Sequence, residues 1–212
     1  MNKNKKNFDD DHFFDNNEMI VIQKDTSNPI NYDQNYFDHY IKLEMTLMGK
    51  KITQERIKLV RKFSKDTILD IGIGSGSFIK NTKLQIYGYD INPIAVKWLE
   101  KNSLFLNPYK DDTGHIKCWT FWDVLEHIPN PKNILEIIKP TDFVFLSIPI
   151  FDNFLNLKKS KHFKPNEHFF YFTNDGLISF MKKMKFYILH TDNTETKLGR
   201  ENIKRYVFQK NA

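Results

Sequence analysis

The feature that most constrains this chain is a short apolar segment that runs directly into three closely spaced glycines. Residues 67–71 are mostly apolar, and Gly72, Gly74 and Gly76 follow at alternate positions. A continuous apolar run of this kind is typical of a strand buried in a parallel sheet. Glycine lets the backbone turn sharply and approach a ligand, because no Cβ intervenes. The segment therefore predicts a strand, a ligand-binding turn and a helix in succession.

Two acidic residues at predicted strand ends complete this pattern. Asp70 lies at the tip of the first strand, where it can accept from a ligand ammonium group, and Asp90 ends the second. An acidic residue at the end of the second strand can accept hydrogen bonds from ribose hydroxyls. A dinucleotide-binding loop would need glycine at position 77, where this chain has Ser77. A glycine turn without a ligand is the other alternative, and the two acidic strand ends argue against it.

Alternating strand and helix signals predict an α/β fold for residues 32–212. We expect a doubly wound, mostly parallel seven-stranded sheet, with helices on both faces and a helical N-terminal extension. The predicted strands are residues 67–71, 85–90, 104–106, 116–121, 142–148, 186–190 and 203–208. Asn92-Pro93 and Asn130-Pro131 each pair a capping residue with a proline at the first helical position, which predicts a helix start.

Composition divides the chain into an N-terminal segment and one domain. Residues 1–31 are rich in Asn, Asp and Lys, and we expect them to be partly mobile or to form a lid, with an edge strand near residues 19–22. Helical spacing of apolar residues from Tyr32 onward predicts two helices that are separated at Gly49. Residues 149–172 form an aromatic and basic insertion within the domain of residues 32–212.

Composition also excludes several classes of protein. The single cysteine, Cys118, cannot form an internal disulfide and fits a reducing compartment. No apolar run approaches the roughly 20 residues of a membrane span, and no secretory signal is visible near the N-terminus. We therefore expect a cytoplasmic protein. The net charge of +6 leaves RNA possible as a partner, although the lysines are mostly scattered.

Three segments resemble the motifs of one enzyme superfamily. Residues 68–76 (ILDIGIGSG) resemble the first motif of class I S-adenosylmethionine-dependent methyltransferases, and residues 88–93 (GYDINP) resemble the second. Residues 121–129 (FWDVLEHIP) resemble the D-x-L-E-H segment of the branch that includes ubiquinone and menaquinone biosynthesis. The resemblance covers about residues 32–210. It implies a Rossmann-like methyltransferase fold and S-adenosylmethionine as the cofactor.

The resemblance also implies which residues contact the cofactor. Ile91 would lie against the adenine, and Phe121 or Trp122 would flank it. The complete implied set is Asp70, Gly72, Gly74, Ser75, Gly76, Asp90, Ile91, Phe121 and Trp122.

The segment after the fourth predicted strand carries the candidate catalytic residues. His127 is the best candidate for a base that removes a proton from the acceptor, because imidazole titrates near neutrality. A structural histidine at the end of a helix is the alternative. If the segment is helical, Asp123, Glu126 and His127 share one face through contacts between residues three and four positions apart.

Two carboxylates and an imidazole on one face would suit a divalent metal ion. The segment resembles the E-x-x-E-H metal segment of small-RNA 2′-O-methyltransferases, in which a further histidine comes from the insertion. Here His162 and His168 lie in that insertion, and Asp123 replaces the first glutamate. A metal is possible but not favoured, because relatives that use no metal also carry D-x-L-E-H.

The insertion itself has three interpretations. Its aromatic residues are consistent with a lid over an apolar or planar substrate. Its lysines, interleaved with aromatics, could bind a nucleic acid. Packing under a long loop is the third interpretation.

Taken together, the motifs predict methyl transfer to an oxygen of a small-molecule or sugar-like acceptor. The alternatives are an RNA 2′-O-methyltransferase and a cofactor-binding protein without turnover. The oligomeric state is not predicted.

Overall fold

The computed structural model describes residues 5–9, 12–15, 19–23, 34–165 and 167–212. Its strands are β1 (Lys5–Asn7), β2 (His12–Asp15), β3 (Ile20–Gln23), β4 (Ile68–Ile71), β5 (Ile86–Tyr89), β6 (Cys118–Trp122), β7 (Phe143–Pro149), β8 (Phe170–Phe172), β9 (Phe186–Asp192) and β10 (Ile203–Lys210). Its α-helices are α1 (Gln34–Met45), α2 (Leu47–Phe63), α3 (Ser77–Asn81), α4 (Pro93–Lys101), α5 (Pro131–Ile137), α6 (Asn174–Lys183) and α7 (Thr194–Lys197). No helix among these residues is long and apolar enough to cross a membrane.

The main sheet has six strands in the order β5-β4-β6-β7-β10-β9. The first four are parallel to one another, and β10 runs antiparallel to both β7 and β9. The Rossmann-like α/β class predicted from the sequence is confirmed. Because β4, β5 and β6 are parallel, their carboxyl ends meet at one edge of the sheet, where ligands of such folds bind.

The predicted third strand is reduced to one bridge, so the sheet has six strands and not seven. Residues 104–106 run beside β5, where Phe105 forms an isolated parallel bridge with Gly88. A turn follows at once, in which the amide groups of Lys110 and Asp111 both donate to the carbonyl of Asn107. This turn diverts the chain from the sheet before a longer ladder can form.

Two apolar layers cover the two faces of this sheet. Side chains alternate along β6, as they do along any strand. Trp119 and Phe121 join the layer that includes residues of α5 and α6. Cys118 and Trp122 join the opposite layer, with residues of α2, α3 and α4. The alternation decides which β6 side chains can reach the ligand edge.

A second, smaller sheet joins the N-terminal segment to the insertion. Its order is β1-β2-β3-β8, and all of its pairings are antiparallel. Val21, Phe151, Leu157 and Tyr171 are buried together beneath it. The strand predicted near residues 19–22 is β3, which lies inside this sheet and not at its edge. Within residues 1–31 the structure describes 5–9, 12–15 and 19–23, so the rest of the segment predicted to be mobile or a lid lies outside the described residues, as does Asn166 of the insertion.

The boundary between the first two helices lies three residues before the predicted one. Thr46 separates α1 from α2, and its side chain accepts a hydrogen bond from the amide of Gly49 at 3.0 Å. Threonine is a favoured N-cap because its oxygen satisfies a free amide of the first turn. Gly49 therefore lies inside α2.

Candidate active site

The glycine loop forms a left-handed turn between β4 and α3. The φ angles of Gly72, Gly74 and Gly76 are 71°, 55° and 73°, a region that side chains with a Cβ rarely adopt. The amide of Gly72 donates to the carbonyl of Tyr89 at 2.8 Å, which ties the loop to β5. A Cβ on Gly72 would lie 2.5 Å from the Val124 side chain. Both the φ angle and this close approach explain glycine at position 72.

A cavity of about 560 Å³ opens above the loop at the carboxyl ends of β4, β5 and β6. Its walls come from the glycine loop, from α1 and α2, from the segment after β6, and from the insertion. Nine of the predicted site residues line it: Asp70, Gly72, Gly74, Asp90, Ile91, Trp122, Asp123, Glu126 and His127. The cavity therefore joins the predicted cofactor end and the predicted catalytic end in one space.

Asp70 lies on the floor of the cavity and is almost fully buried. The hydroxyl of Thr120 on β6 donates to its carboxylate at 2.5 Å. Burial raises the pKa of Asp70 to about 8, although this hydrogen bond and the charge of Arg56 lower it. A buried carboxylate of this kind is suited to a cationic ligand group, because a nearby positive charge stabilises the ionised form of the carboxylate.

Asp90 follows β5 and faces the same cavity. Its carboxylate accepts from the amide of Asn92 at 2.8 Å, and backbone amides that include Gly74 lower its pKa against the effect of burial. The Ile91 side chain remains 66% exposed at the cavity edge. An apolar side chain exposed there suits a planar ligand group such as an adenine.

Three predicted cofactor residues do not line this cavity. Ser75 faces a smaller neighbouring cavity, where its hydroxyl donates to Glu44. Gly76 lies under the Trp98 ring, to which an added Cβ would come within 3.3 Å. Phe121 is fully buried in the opposite layer because of the strand alternation, so Trp122 is the one of the pair that reaches the cavity.

Asp123 does not share a face with Glu126 and His127 as predicted. It has a φ of 59°, and only residues Leu125–His127 form a short 3-10 turn. Its carboxylate accepts from Arg56 and from Arg200, each at 2.8 Å. These cations hold the pKa of Asp123 well below its usual range despite burial. Asp123 is therefore an ion-pair partner, occupied by two guanidinium groups, and is unsuited to act as a base.

Glu126, His127 and His168 come together at the catalytic end of the cavity. One possible ligand atom from each lies within 4.8 Å of the others. The two imidazole rings meet edge to face, with 4.5 Å between their centroids. Glu126 is 1% exposed, and neither of its oxygens accepts a hydrogen bond from another residue that the structure describes. His168 thus replaces Asp123 in the predicted cluster.

Burial sets the protonation of this cluster. It raises the pKa of Glu126 well above the usual value, and the neighbouring charge of Asp123 raises it further. Burial also lowers the pKa of His127, and it lowers that of His168 to about 2. Both imidazoles are therefore neutral near pH 7, which leaves a ring nitrogen of each available as a hydrogen-bond acceptor or a metal ligand.

The remaining predicted histidine is outside this cluster. The Nε2 atom of His162 lies 2.7 Å from the backbone carbonyl of Glu201, although its ring lines the cavity. Three of the four lysines of the insertion have acidic partners. Lys158 pairs with Asp9, Lys161 with Glu201 and Lys164 with Glu167, at 2.8, 3.4 and 2.9 Å.

Comparison with known proteins shows the family to which the chain belongs. A family model described as a methyltransferase domain matches residues 37–191. The chain belongs to this family. Together with the Rossmann-like sheet, the match makes it a class I, S-adenosylmethionine-dependent methyltransferase. No curated protein matches the sequence.

Solved methyltransferases share the fold at low sequence identity. One is an S-adenosylmethionine-dependent methyltransferase from Methanosarcina mazei, with a TM-score of 0.51, 19% identity, and 69% of this chain and 92% of that chain covered. The 1,6-didemethyltoxoflavin-N1-methyltransferase of Burkholderia thailandensis has a TM-score of 0.58, 10% identity, and coverage of 98% and 99%. The small RNA methyltransferase HEN1 has a TM-score of 0.54 and 18% identity, and covers 77% of this chain and 25% of its own.

Sequence reasoning missed the contribution of α1 and α2 to the methyltransferase site. Tyr40, Leu43 and Glu44 of α1 line the cavity, and so does Arg56 of α2. Tyr40 and Glu44 are four positions apart on one helix face, a spacing that was visible in the sequence. The acidic partners of Arg56 were not visible, because Asp123 and Glu195 lie 67 and 139 residues further along the chain.

Proposed function

We propose that the methyltransferase transfers the methyl group of S-adenosylmethionine to an oxygen of a small-molecule or sugar-like acceptor. The observation that carries this proposal is the single cavity that joins the glycine loop to His127. When bound, the cofactor supplies a sulfonium methyl group to an acceptor atom that attacks in line. The following roles are those of the chain's own residues.

The cofactor end of the cavity has the groups that this ligand requires. The glycine loop offers close backbone approach at Gly72 and Gly74, and Asp90 lies where it can accept from ribose hydroxyls. The buried carboxylate of Asp70 suits a cationic group, and the exposed Ile91 suits the adenine. These roles account for the predicted cofactor residues that line the cavity, with the exception of Trp122.

At the acceptor end, His127 holds the proton that the acceptor loses. A hydroxyl is a weak nucleophile until a base takes its proton, and a neutral imidazole is suited to that task. His127 lines the cavity and is neutral near pH 7 because burial lowers its pKa. Asp123 serves a different purpose, because its ion pairs fix the start of the segment that carries His127.

The walls of the cavity favour a small acceptor. Tyr40 and Leu43 of α1 lie on one side, and Lys161 and His162 of the insertion lie on another. Three insertion lysines already pair with carboxylates of this chain. Binding of a phosphate backbone draws on unpaired basic groups, so these pairs weaken the case for an RNA groove.

The proposal is tested by offering methyl-labelled cofactor with separate small-molecule and RNA fractions of host extract. We expect label in the small-molecule fraction. In His127→Ala, the turnover number should fall by about 100-fold, while the affinity for the cofactor stays nearly unchanged. His115→Ala is the matched control, because His115 is exposed and does not line the cavity. Label only in RNA, in a reaction that salt suppresses steeply, would contradict the small-molecule acceptor.

A second candidate function is metal-assisted transfer, and the Glu126, His127 and His168 cluster favours it. Two neutral imidazoles and a carboxylate without a described partner fit the ligand preferences of a divalent transition metal. These residues would hold the ion, which would act as a Lewis acid on an acceptor oxygen. Methylation of an RNA 2′-hydroxyl belongs with this candidate, and one fold relative, HEN1, is a small RNA methyltransferase.

Direct metal binding separates the two candidates. If the cluster is a metal site, Mn²⁺ binds with a stoichiometry near one, and both Glu126→Gln and His168→Ala abolish that binding. Chelation then stops methyl transfer and Mn²⁺ restores it. If His127 acts as a base without metal, chelation leaves transfer unchanged throughout.

A further inference from the structure

Helix α1 carries a carboxylate over the glycine loop that no motif of the sequence indicates. Glu44 lines both the main cavity and the smaller cavity beside it. Its Oε2 atom accepts a hydrogen bond from the hydroxyl of Ser75 in the loop. A Cβ built on Gly74 would lie 3.8 Å from its Oε1 atom. The Glu44 carboxylate thus lies directly beside the glycine loop.

We propose that Glu44 is a cofactor-binding residue that accepts hydrogen bonds from the ammonium group at the methionine end of S-adenosylmethionine. Ser75 then has a positioning role, because its hydroxyl turns the Glu44 carboxylate toward the loop. The inference deepens the cofactor half of the proposed function. It does not depend on the identity of the acceptor.

The charges around the loop favour a cation as the occupant. Glu44, Asp70 and Asp90 all face the cavity there. No described lysine, arginine or histidine lies in ion-pair contact with Glu44. A ligand ammonium group supplies the positive charge that this end of the cavity lacks.

The nearest cations of the chain are engaged elsewhere. Arg56 pairs with Asp123 and Glu195. Lys80 donates to the backbone carbonyl of Ser75 at 2.8 Å and lies over the Trp98 ring. Burial raises the pKa of Glu44, while Arg56 and Lys80 only lower it from a distance. Neither cation takes the place of a ligand group on the Glu44 carboxylate.

An opposite role for Glu44 makes the opposite prediction. Ser75 and Ser77 donate hydrogen bonds to the Glu44 carboxylate. A ligand carboxylate would use the same donors. If Glu44 merely substitutes for the ligand carboxylate, the cofactor must displace it, and removing its charge tightens binding. If Glu44 receives the ammonium group, removing its charge weakens binding. The sign of the change therefore decides between the roles.

The test compares Glu44→Gln with the parent protein by calorimetry with two ligands. S-adenosylhomocysteine has the ammonium group, whereas methylthioadenosine has the same nucleoside without the amino-acid part. We expect Glu44→Gln to weaken the binding of S-adenosylhomocysteine by about 10-fold or more, as for loss of a charge-assisted hydrogen bond. We expect methylthioadenosine affinity to stay within about two-fold, which also shows that the variant is folded. Glu44→Asp, which keeps the charge, should lose less affinity for S-adenosylhomocysteine than Glu44→Gln does.

Glu55→Gln is the matched control, since Glu55 lies on α2, pairs with Lys58 and lines neither cavity. It should bind both ligands as the parent does. Unchanged or tighter S-adenosylhomocysteine binding by Glu44→Gln overturns the proposal. Equal weakening of both ligands also overturns it, because Glu44 would then support the loop and not the ammonium group. Failure of methyl transfer to any acceptor would leave this binding result unaffected.

Discussion

At the scale of single residues, the glycine loop and its acidic neighbours were predicted from the sequence, and the ion pairs were not. Asp70 and Asp90 follow from motif spacing, because they lie at the carboxyl ends of two strands, and the carboxyl ends of parallel strands meet at one edge of the sheet. The position of Asp123 depends on its left-handed φ and on Arg200, which lies 77 residues further along the chain. Local spacing does not contain that information, so the expected shared face with Glu126 was wrong.

Asp70 illustrates a site residue that is unfavourable for the fold. Burial raises its pKa from an ordinary value near 3.8 to about 8, with Glu44 and Asp90 adding to the effect and Thr120 and Arg56 opposing it. Between these values the folded protein holds a proton that the unfolded chain has released. The free energy of unfolding therefore falls as pH rises through this window. Stability from this group is complete below pH 4 and is lost as pH approaches about 8.

Asp70→Asn tests this conflict between stability and binding. Asparagine keeps the shape and the hydrogen bond with Thr120 but does not titrate. Between pH 5 and pH 8 to 9, we expect the cofactor-free variant to gain stability relative to the parent by on the order of 4 kcal/mol, because only the parent loses stability over this interval. S-adenosylhomocysteine should bind about 10-fold more weakly. Thermal unfolding from pH 5 to 9 checks the first point. A stability difference that does not change with pH would contradict the raised pKa.

At the scale of elements, most helices and strands of the domain agree with the pattern of apolar residues and caps. The predicted starts of α4 and α5 are confirmed at Asn92 and Asn130. The small sheet was not predicted as a sheet. Its strands have only three or four residues, and β3 pairs with β8 from the other end of the chain. Short strands with such distant partners have no local signal beyond their apolar residues.

The pairing of β3 with β8 supports the segment that carries His168. The amide of Gln23 donates to the carbonyl of Phe169, and the amide of Phe169 donates to the carbonyl of Glu126. Val21, fully buried, lies opposite Tyr171 in this pairing. Backbone hydrogen bonds thus connect β3 to the cluster of Glu126, His127 and His168.

Val21→Ala should therefore loosen the insertion without unfolding the main sheet. Loss of two buried methyl groups costs about 1–2 kcal/mol, and the small sheet has little else to compensate. Hydrogen exchange should accelerate at the amides of β8 and remain unchanged in β4 and β6. Acceleration across the whole chain, to the same extent, would show that the two sheets unfold as one unit. Val207→Ala, at a buried position of β10, is the matched control. It should accelerate hydrogen exchange in the main sheet.

At the scale of the whole molecule, a buried network of charges ties the first part of the domain to the last. Arg56 of α2 donates to Asp123 after β6 and to Glu195 of α7, and Arg200 donates to the same two carboxylates. Arg56 also lies over the Trp122 ring, 5.0 Å from its centroid. The wall of the cavity is therefore assembled from segments that meet only in the folded chain.

Arg56→Met tests how much the fold depends on this network. Methionine fills much of the volume, but Arg200 alone must then neutralise two buried carboxylates. We expect the free energy of unfolding to fall by about 3 kcal/mol, as when one partner of a buried ion pair is removed. Urea unfolding measures this change. Arg61→Met, on the exposed face of the same helix, is the control. If the free energy of unfolding falls by the same small amount in both variants, the network is not a significant source of stability.

The claim on which the whole account depends is that the glycine loop and Asp90 bind S-adenosylmethionine at the cavity. Calorimetry with S-adenosylhomocysteine tests it most directly, in the parent, in Asp90→Ala, and in Asp152→Ala as an exposed control. We predict one site per chain in the parent and in the control, and affinity about 10-fold or more weaker in Asp90→Ala, which loses the ribose contact. A folded parent protein that binds no S-adenosylhomocysteine, or an Asp90→Ala variant with unchanged affinity, would contradict the account.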